Sequence, residues 1–371
     1  MTIRDVANYL EEIAPLNYAE DFDNVGLLVG DYTTELTGIL VTLDTLEETV
    51  DEAINKQCNL IVSFHPIIFS GLKKLNGNNY VERVVIKAIK HHIAIYATHT
   101  ALDNSHVGVS AKMCEVLGIQ NTQILLPKKD IIKKLITYVP KSNAASLRAK
   151  LFKAGAGNIG NYSEASFNVD GIGTFKGNEA SNPTVGLKNK LQQEDETCIE
   201  VIFETQYQSS VVGALLEYHP YEEVAYQIIS TENVHQNVGM GMIGELTEEI
   251  EENNFLKNVK KIFKTGCIKH SALRGRPIKK VAVLGGSGSF AISDAIRLQA
   301  DMYISADFKY HDFFKAEGKI VLVDVGHYES EQFTKTLLVE YLIKKITNFA
   351  PLSLKSGIIL SEKNTNPIYY L

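Results

Sequence analysis

Tryptophan is absent from this chain, and cysteine occurs only four times in 371 residues. Cys58, Cys114, Cys198 and Cys267 stand alone with no CxxC spacing. That excludes a cysteine zinc site or a disulfide frame, and they read as buried small hydrophobes in a reducing compartment. Long apolar runs are missing too. The strand-like stretches are broken by polar residues within about 8 positions, far short of the roughly 20 needed to cross a bilayer. The N-terminal MTIRDVANYLEEIAPL reads as an amphipathic, partly acidic helix without the apolar core and cleavage site of a signal peptide, so a cytoplasmic location is expected. No long Lys/Arg cluster occurs and the net charge is −7; a broad nucleic-acid footprint, which needs local positive charge, is not expected. The acidic run Glu245 to Glu252 reads as a solvated helix N-terminus.

What remains is ordinary globular material, 45% apolar and 22% charged, in a length that suggests two or three domains. Residues 1–127 alternate helix and strand patterns: a helix over 3–13, strand 37–44, helix 45–57, strand LIVSFH, a helix near VERVVIKAIKHH, strand IAIYATH and a helix over 107–117. Such alternation predicts a mixed α/β sheet with helices on its faces. Over 128–237 the texture changes to strand, helix, a Gly-rich hairpin region, strand, helix, strand. That is the split βαβ, ferredoxin-like α+β order, and it reads as an inserted domain. NVGMGMIGEL (237–246) reads as a return linker whose glycines supply turns. From 238 to 371 the first texture resumes and ends in an amphipathic helix, ESEQFTKTLLVEYLIKKI. The two flanking halves share a rhythm of strands ending in His or Asp, a sign of duplication.

Those strand ends carry the candidate chemistry. His65 follows the apolar Leu60-Ile61-Val62; His327 follows the run Ile320 to Val325, with Glu331 one helical turn on; IAIYATHTALD adds His99 and Asp103. Strand ends converging on one sheet edge are where open α/β proteins place their sites, and His with Asp and Glu suits a divalent transition metal. Each residue alone reads first as a hydrogen-bonded core residue or a cap; together His65, Asp103, His327 and Glu331 read as a metal set. His99 orients a ligand or is a satisfied structural histidine. His91 and His92 precede a strand, at the opposite edge, and carry no role. LGGSGSF (284–290) either cradles a phosphate or makes a tight strand-to-helix turn. Asp307, Lys309, His311 and Asp312 are either substrate contacts or an ordinary polar loop.

DNVGLLVG, HPIIFSGLKKL, THTALD, YHPYEEVAY, LGGSGSF, GHYESE and NTNPIYYL, spread over the whole length, resemble the Ngg-interacting-factor-three-like family, also labelled GTP cyclohydrolase I type two. The resemblance implies a mixed-sheet α/β core of two similar halves and a PII-like insert. It also implies a homohexamer built as a toroidal dimer of trimers, and two adjacent divalent ions (Zn, Fe or Mn). By that resemblance His65, Asp103 and Glu331 hold one ion; His327 and the shared Glu331 hold the other. Phe64 departs from it, because the family has a His there that ligates the second ion. One ion per subunit is therefore expected, and Phe64→His should bring in a second. Phe22, where the family often has Trp, is a conservative change. The activity implied is metal-dependent hydrolysis of a nucleotide or related small molecule. The alternative is a non-catalytic hexameric regulator or partner-binding scaffold that senses a metal or metabolite through its insert.

Overall fold

The computed structural model describes residues 1–349 and 357–371. The chain divides into two compact units: Met1–Pro127 with Gln236–Leu371, and Lys128–His235. The first unit begins with α1 (Ile3–Ile13), β1 (Gly26–Val29), β2 (Ile39–Thr42), α2 (Glu47–Asn55) and β3 (Leu60–Ser63). There follow α3 (Tyr80–Lys90), β4 (Ala94–Ala97), the single turn α4 (His99–Asp103), α5 (Val109–Leu117) and β5 (Ile119–Pro127). The second unit holds β6 (Ile132–Pro140), α6 (Ala144–Lys153), β7 (Phe167–Phe175), β8 (Gln192–Glu204), α7 (Gln208–Tyr218) and β9 (Tyr226–Ser230). The chain then re-enters the first unit through β10 (Gly239–Ile250), α8 (Glu252–Phe263), β11 (Lys269–His270), β12 (Ile278–Ser287) and α9 (Ile292–Arg297). It ends with β13 (Met302–Ala306), β14 (Val321–Asp324), α10 (His327–Glu331), α11 (Thr334–Phe349) and β15 (Ile358–Leu360).

Two sheets build the first unit. One has the order β1-β4-β3-β2-β15, parallel throughout except for β1. The other has the order β11-β14-β13-β12-β10-β5, with β12, β13 and β14 parallel and the rest antiparallel to their neighbours. Every residue of β2, β3, β4, β13 and β14 is buried, because helices cover both faces of a parallel sheet and leave no polar side for alternation. On the first sheet, Ile39, Val41, Leu60 and Val62 meet Val6, Leu10, Leu338 and Leu342. Its other face sets Leu40, Ile61 and Ile95 against Val50, Ala53, Val84 and Ala88. The second sheet packs Val281, Val283 and Ile304 on Met113, Phe255, Val259 and Phe263.

In the other unit the strands are antiparallel in the order β7-β8-β6-β9. Leu135, Val139, Ile199, Val201 and Phe203 of that sheet bury against Leu147 and Leu151 of α6 and Val211 and Leu215 of α7.

Several expectations are corrected. Residues 239–246 are not a linker but most of β10, a strand hydrogen-bonded between β12 and β5. The acidic run from Glu245 accordingly lies largely in that strand, and only Glu251 caps α8, accepting from the amides of Asn253 and Asn254 at 2.9 Å each. His99 and Asp103 sit on a helical turn after β4, not on the strand. The last amphipathic segment is two helices, α10 and α11. Cys58 and Cys114 are buried as expected, whereas Cys198 is half-buried and Cys267 exposed.

Candidate metal centre

In both sheets the parallel strands point their carboxyl ends at one place. β2 leads to Asp44, β3 to His65, β4 to His99, β13 to Asp307 and β14 to His327. Donor atoms of His65, His327 and Glu331 lie within 4.8 Å of one another, one from the first sheet and two from the end of the second. Glu331 Oε2 stands 3.1 Å from His65 Nε2 and 3.3 Å from His327 Nε2. Yet this oxygen is fully buried and has no well-formed hydrogen bond. An orphaned buried carboxylate oxygen is rare in a native structure.

Each imidazole is fixed from behind in the same way. His65 Nδ1 lies 2.8 Å from Asp44 Oδ1, and His327 Nδ1 lies 2.7 Å from Asp307 Oδ2. In both cases the carboxylate comes from the end of the adjacent parallel strand, β2 beside β3 and β13 beside β14. A carboxylate accepts only, so it holds the proton on Nδ1 and turns Nε2 towards the centre, the usual support of a metal-bound histidine. Asp44 is itself tied by Thr365, whose hydroxyl donates at 2.5 Å. A third pair joins His99 Nδ1 to Asp23 Oδ1 at 2.7 Å, and the Thr100 amide donates to the other oxygen of Asp23 at 3.0 Å.

The electrostatics favour positive charge here. Burial pushes both imidazoles down, but Asp44 and Glu331 raise His65, and Asp307 and Glu331 raise His327. Burial pushes Glu331 up, and the two histidines overcome it, bringing its carboxyl down to about 2. For Asp103 the same two histidines are outweighed: burial and the charge of Glu331 hold it well above the usual carboxylate range. It stands within electrostatic reach of His65, His327 and Glu331 without joining their close cluster.

The backbone is bent to make room. His99 has φ 26° and Asp307 φ 59°, left-handed conformations that cost a non-glycine residue energy and concentrate at functional sites. Gly286, at φ 68°, lies so close that a Cβ there would meet Glu331 Oε1 at 2.3 Å. Its amide donates to Ser330 Oγ at 2.9 Å, and that of Gly288 to Ala306 O at 3.4 Å. Gly286 therefore admits Glu331, and these two amides are already spent within the protein.

Phe64 is 0% exposed in the core of the first sheet, its ring 5.0 Å from that of His65 and 5.6 Å from that of His99. Of the residues weighed with Asp307, Asp312 accepts from the Lys309 amide and pairs with Lys315, and His311 is exposed. Sequence reasoning missed Asp44 and Asp23. The signal for Asp44 was present: it follows an apolar strand just as His65 and His327 do.

Two ligands each about 2.1 Å from one ion lie roughly 3 Å apart, which is the spacing of both Nε2 atoms from Glu331 Oε2. The donor set therefore fits a divalent cation in chemistry, and its two separations at Glu331 Oε2 fit in distance.

A profile of the Duf34/NIF3 (NGG1p interacting factor 3) family matches residues 1–367. A Bacillus subtilis protein named GTP cyclohydrolase 1 type 2 homolog is 36% identical over 372 residues, covering 99% of this chain and 98% of its own. A Staphylococcus aureus protein of the same name is 32% identical, with both chains covered in full. Among solved structures, a Bacillus cereus protein related to NIF3 superposes with TM-score 0.82 at 34% identity, over 100% of this chain and 99% of that one. The chain belongs to the Duf34/NIF3 family.

Proposed function

We propose that this protein is a divalent-metal-dependent hydrolase of a nucleotide or related small molecule. The observation that carries the reading is Glu331 Oε2, buried between His65 Nε2 at 3.1 Å and His327 Nε2 at 3.3 Å, paired with both in charge but well aligned for a hydrogen bond with neither. A Zn²⁺, Fe²⁺ or Mn²⁺ ion held by His65, His327 and Glu331 would supply a Lewis acid and lower the pKa of water towards neutrality. Asp103 adds a carboxylate that ionises once positive charge compensates Glu331. Asp44 and Asp307 hold the imidazoles in the ligating orientation. His99, with Nδ1 committed to Asp23, keeps Nε2 to accept a proton from the incoming water and return it to the leaving group. In the overall step, water oxygen bonds to the attacked centre, the bond to the leaving group breaks, and the water proton ends on the leaving group.

The nucleotide substrate is suggested by the relatives named for GTP. The test is to load purified protein with each metal, supply GTP, and follow formate and inorganic phosphate. A product that requires both the metal and His65 supports the proposal; no product with any of the three metals overturns it.

A second reading is favoured by the Lys128–His235 unit, which we take to be a ferredoxin-like insert of the PII type from its β-α-β-β-α-β element order. It contains a cavity of about 730 Å³ lined in part by Tyr138, Phe175, Glu196, Cys198 and Tyr221. Tyr221 donates to Glu196 Oε1 at 2.8 Å on its wall. A cavity of this size takes a small molecule, which suits a metabolite sensor. In a thermal-shift screen of metabolites, stabilisation lost in Tyr221→Ala and kept in His65→Ala identifies the sensor. We also take the assembly to be a homohexamer; light scattering should give six chain masses of 41.2 kDa, and a lone chain overturns this.

A further inference from the structure

Beside the cluster lie two aromatic side chains that the metal reading does not use. Phe22 is 66% exposed and Phe69 52% exposed. Their ring centroids are 6.3 Å apart, and Phe69 stands edge-on to His99 at 6.2 Å. His99 in turn lies 5.4 Å from His65, which lies 5.5 Å from His327. Five rings thus form a continuous row from solvent to the candidate metal ligands.

The outer two rings are held in place. Asp23, next to Phe22, is locked to His99 and to the Thr100 amide. Asn24 donates to the carbonyl of Ile68, the neighbour of Phe69, at 2.6 Å. The loops bearing the two rings are therefore pinned to each other and to the site, and the apolar surface they present is pre-formed. Exposed apolar surface fixed at the mouth of a polar site marks a place where something binds. Phenyl rings offer no hydrogen bond, so they recognise by stacking, which every planar base satisfies.

We infer that Phe22 and Phe69 form a stacking subsite for the planar ring of the substrate, holding it at the rim. A group attached to the ring, and not the ring itself, then reaches His65, His327 and Glu331. The location of the subsite stands on the rings alone; the statement about the reacting group rests on the hydrolase reading above. Phe69 makes ring contact with His99 but, among the described residues, none with His65 or His327. A base stacked there lies beyond His99 from the cluster, so opening of its ring by water is disfavoured and hydrolysis of a phosphate ester on its ribose is favoured. In that step water oxygen bonds to phosphorus, the ester P–O bond breaks with its electron pair on the sugar oxygen, and that oxygen takes the proton.

Calorimetric titration of the whole protein with guanosine and with ribose 5-phosphate tests this. Each probe is run against wild type, Phe22→Ala, Phe69→Ala and Phe22→Trp, with metal content and molecular mass recorded for every sample. Either alanine variant should weaken guanosine binding about tenfold or more, Phe22→Trp should retain it, and ribose 5-phosphate binding should not change. Metal-loaded wild type should release phosphate from guanosine 5′-monophosphate and no formate. Guanosine binding unaffected by both alanine substitutions overturns the subsite, as does a change of molecular mass with guanosine binding intact, because the rings then pack against another copy. Formate release overturns the placement of the base. Guanosine bound through these rings by a protein that takes up no metal supports the subsite and overturns the hydrolase reading instead, so the two failures are distinguishable.

Discussion

Glu331 is the meeting point of two histidines from different sheets, and on the proposed reading its surroundings would decide whether a cation stays. Asp44 touches no donor atom of Glu331; it acts through the orientation of His65. Asp44→Asn keeps the shape but turns an obligate acceptor into a group that also donates. It should cost about 10–100-fold in metal affinity, read by competition with a chelating dye while the fold, followed by circular dichroism, is unchanged. Gly286→Ala places a methyl 2.3 Å from Glu331 Oε1 at φ 68°. It should lower stability by roughly 1–2 kcal/mol through left-handed strain and, more tellingly, remove the metal from purified protein. Phe64 is packed as core, so Phe64→His should destabilise the metal-free protein by about 2 kcal/mol or more. In the presence of Zn²⁺ it should raise the elemental stoichiometry from one towards two. At this scale part of the candidate cluster was legible: His65, His327 and Glu331, which the fold brings together without Asp103, could be read because metal-ligand residue types follow buried strands. Asp44 and Asp23 were not, because an aspartate after a strand reads first as a turn residue, and only the fold reveals which imidazole it faces.

Among the elements, β10 shows where pattern reading fails. Its glycines at 239, 241 and 244 read as turns, but they lie in the middle of a sheet. A Cβ at Gly239 would strike Leu126 O at 2.1 Å, and one at Gly244 would strike Gln120 O at 2.5 Å. Tight approach of β5, not a turn, demands glycine there. α4 was misread for the opposite reason: one helical turn is too short to display a helical period. Away from the site, Asp301 fastens the start of β12 to the start of β13. It accepts from the amides of Lys279 and Lys280 at 2.9 and 2.8 Å, and from Arg274 Nη2 at 2.8 Å. Burial pushes its carboxyl up, but the Lys280 and Lys279 amides and Arg274 outweigh that and hold it below the usual range. A depressed folded value means stability that is complete above the unfolded pKa of about 3.9 and is lost as pH falls through the folded one. Asp301→Asn should therefore cost about 1–3 kcal/mol at pH 7. In urea denaturation the difference from wild type should close as the pH falls below the ordinary aspartate range and through the depressed folded value.

For the whole molecule, the candidate ligands tie residues near the start of the chain to residues near its end, so a metal bound there would link binding to the stability of the first unit. A metal at 100 times its dissociation constant adds about 2.7 kcal/mol. Calorimetry should show the transition of the Met1–Pro127 and Gln236–Leu371 unit moving down by about 5 °C when a chelator is added, with the Lys128–His235 transition unmoved. A shift of both transitions together would contradict a site confined to the first unit. The broad plan was visible in the sequence because helix and strand patterns alternate on both sides of residues 128–237. The pairing of strands across that gap was not, since no local pattern records which distant strand lies alongside.

That pairing bears on the protein's history. Pro127 and Gly239 face each other across β5 and β10, and the ladder continues through Leu126 opposite Met240. The residues between them are therefore attached where an ordinary hairpin would simply turn back. Recombination at this point could graft a foreign gene segment, or excise one, without altering a single rung on either side. A chain in which 128–238 is replaced by Asn-Gly, the dipeptide that favours such reversals, should keep the β5–β10 ladder and, on the proposed reading, still take up metal.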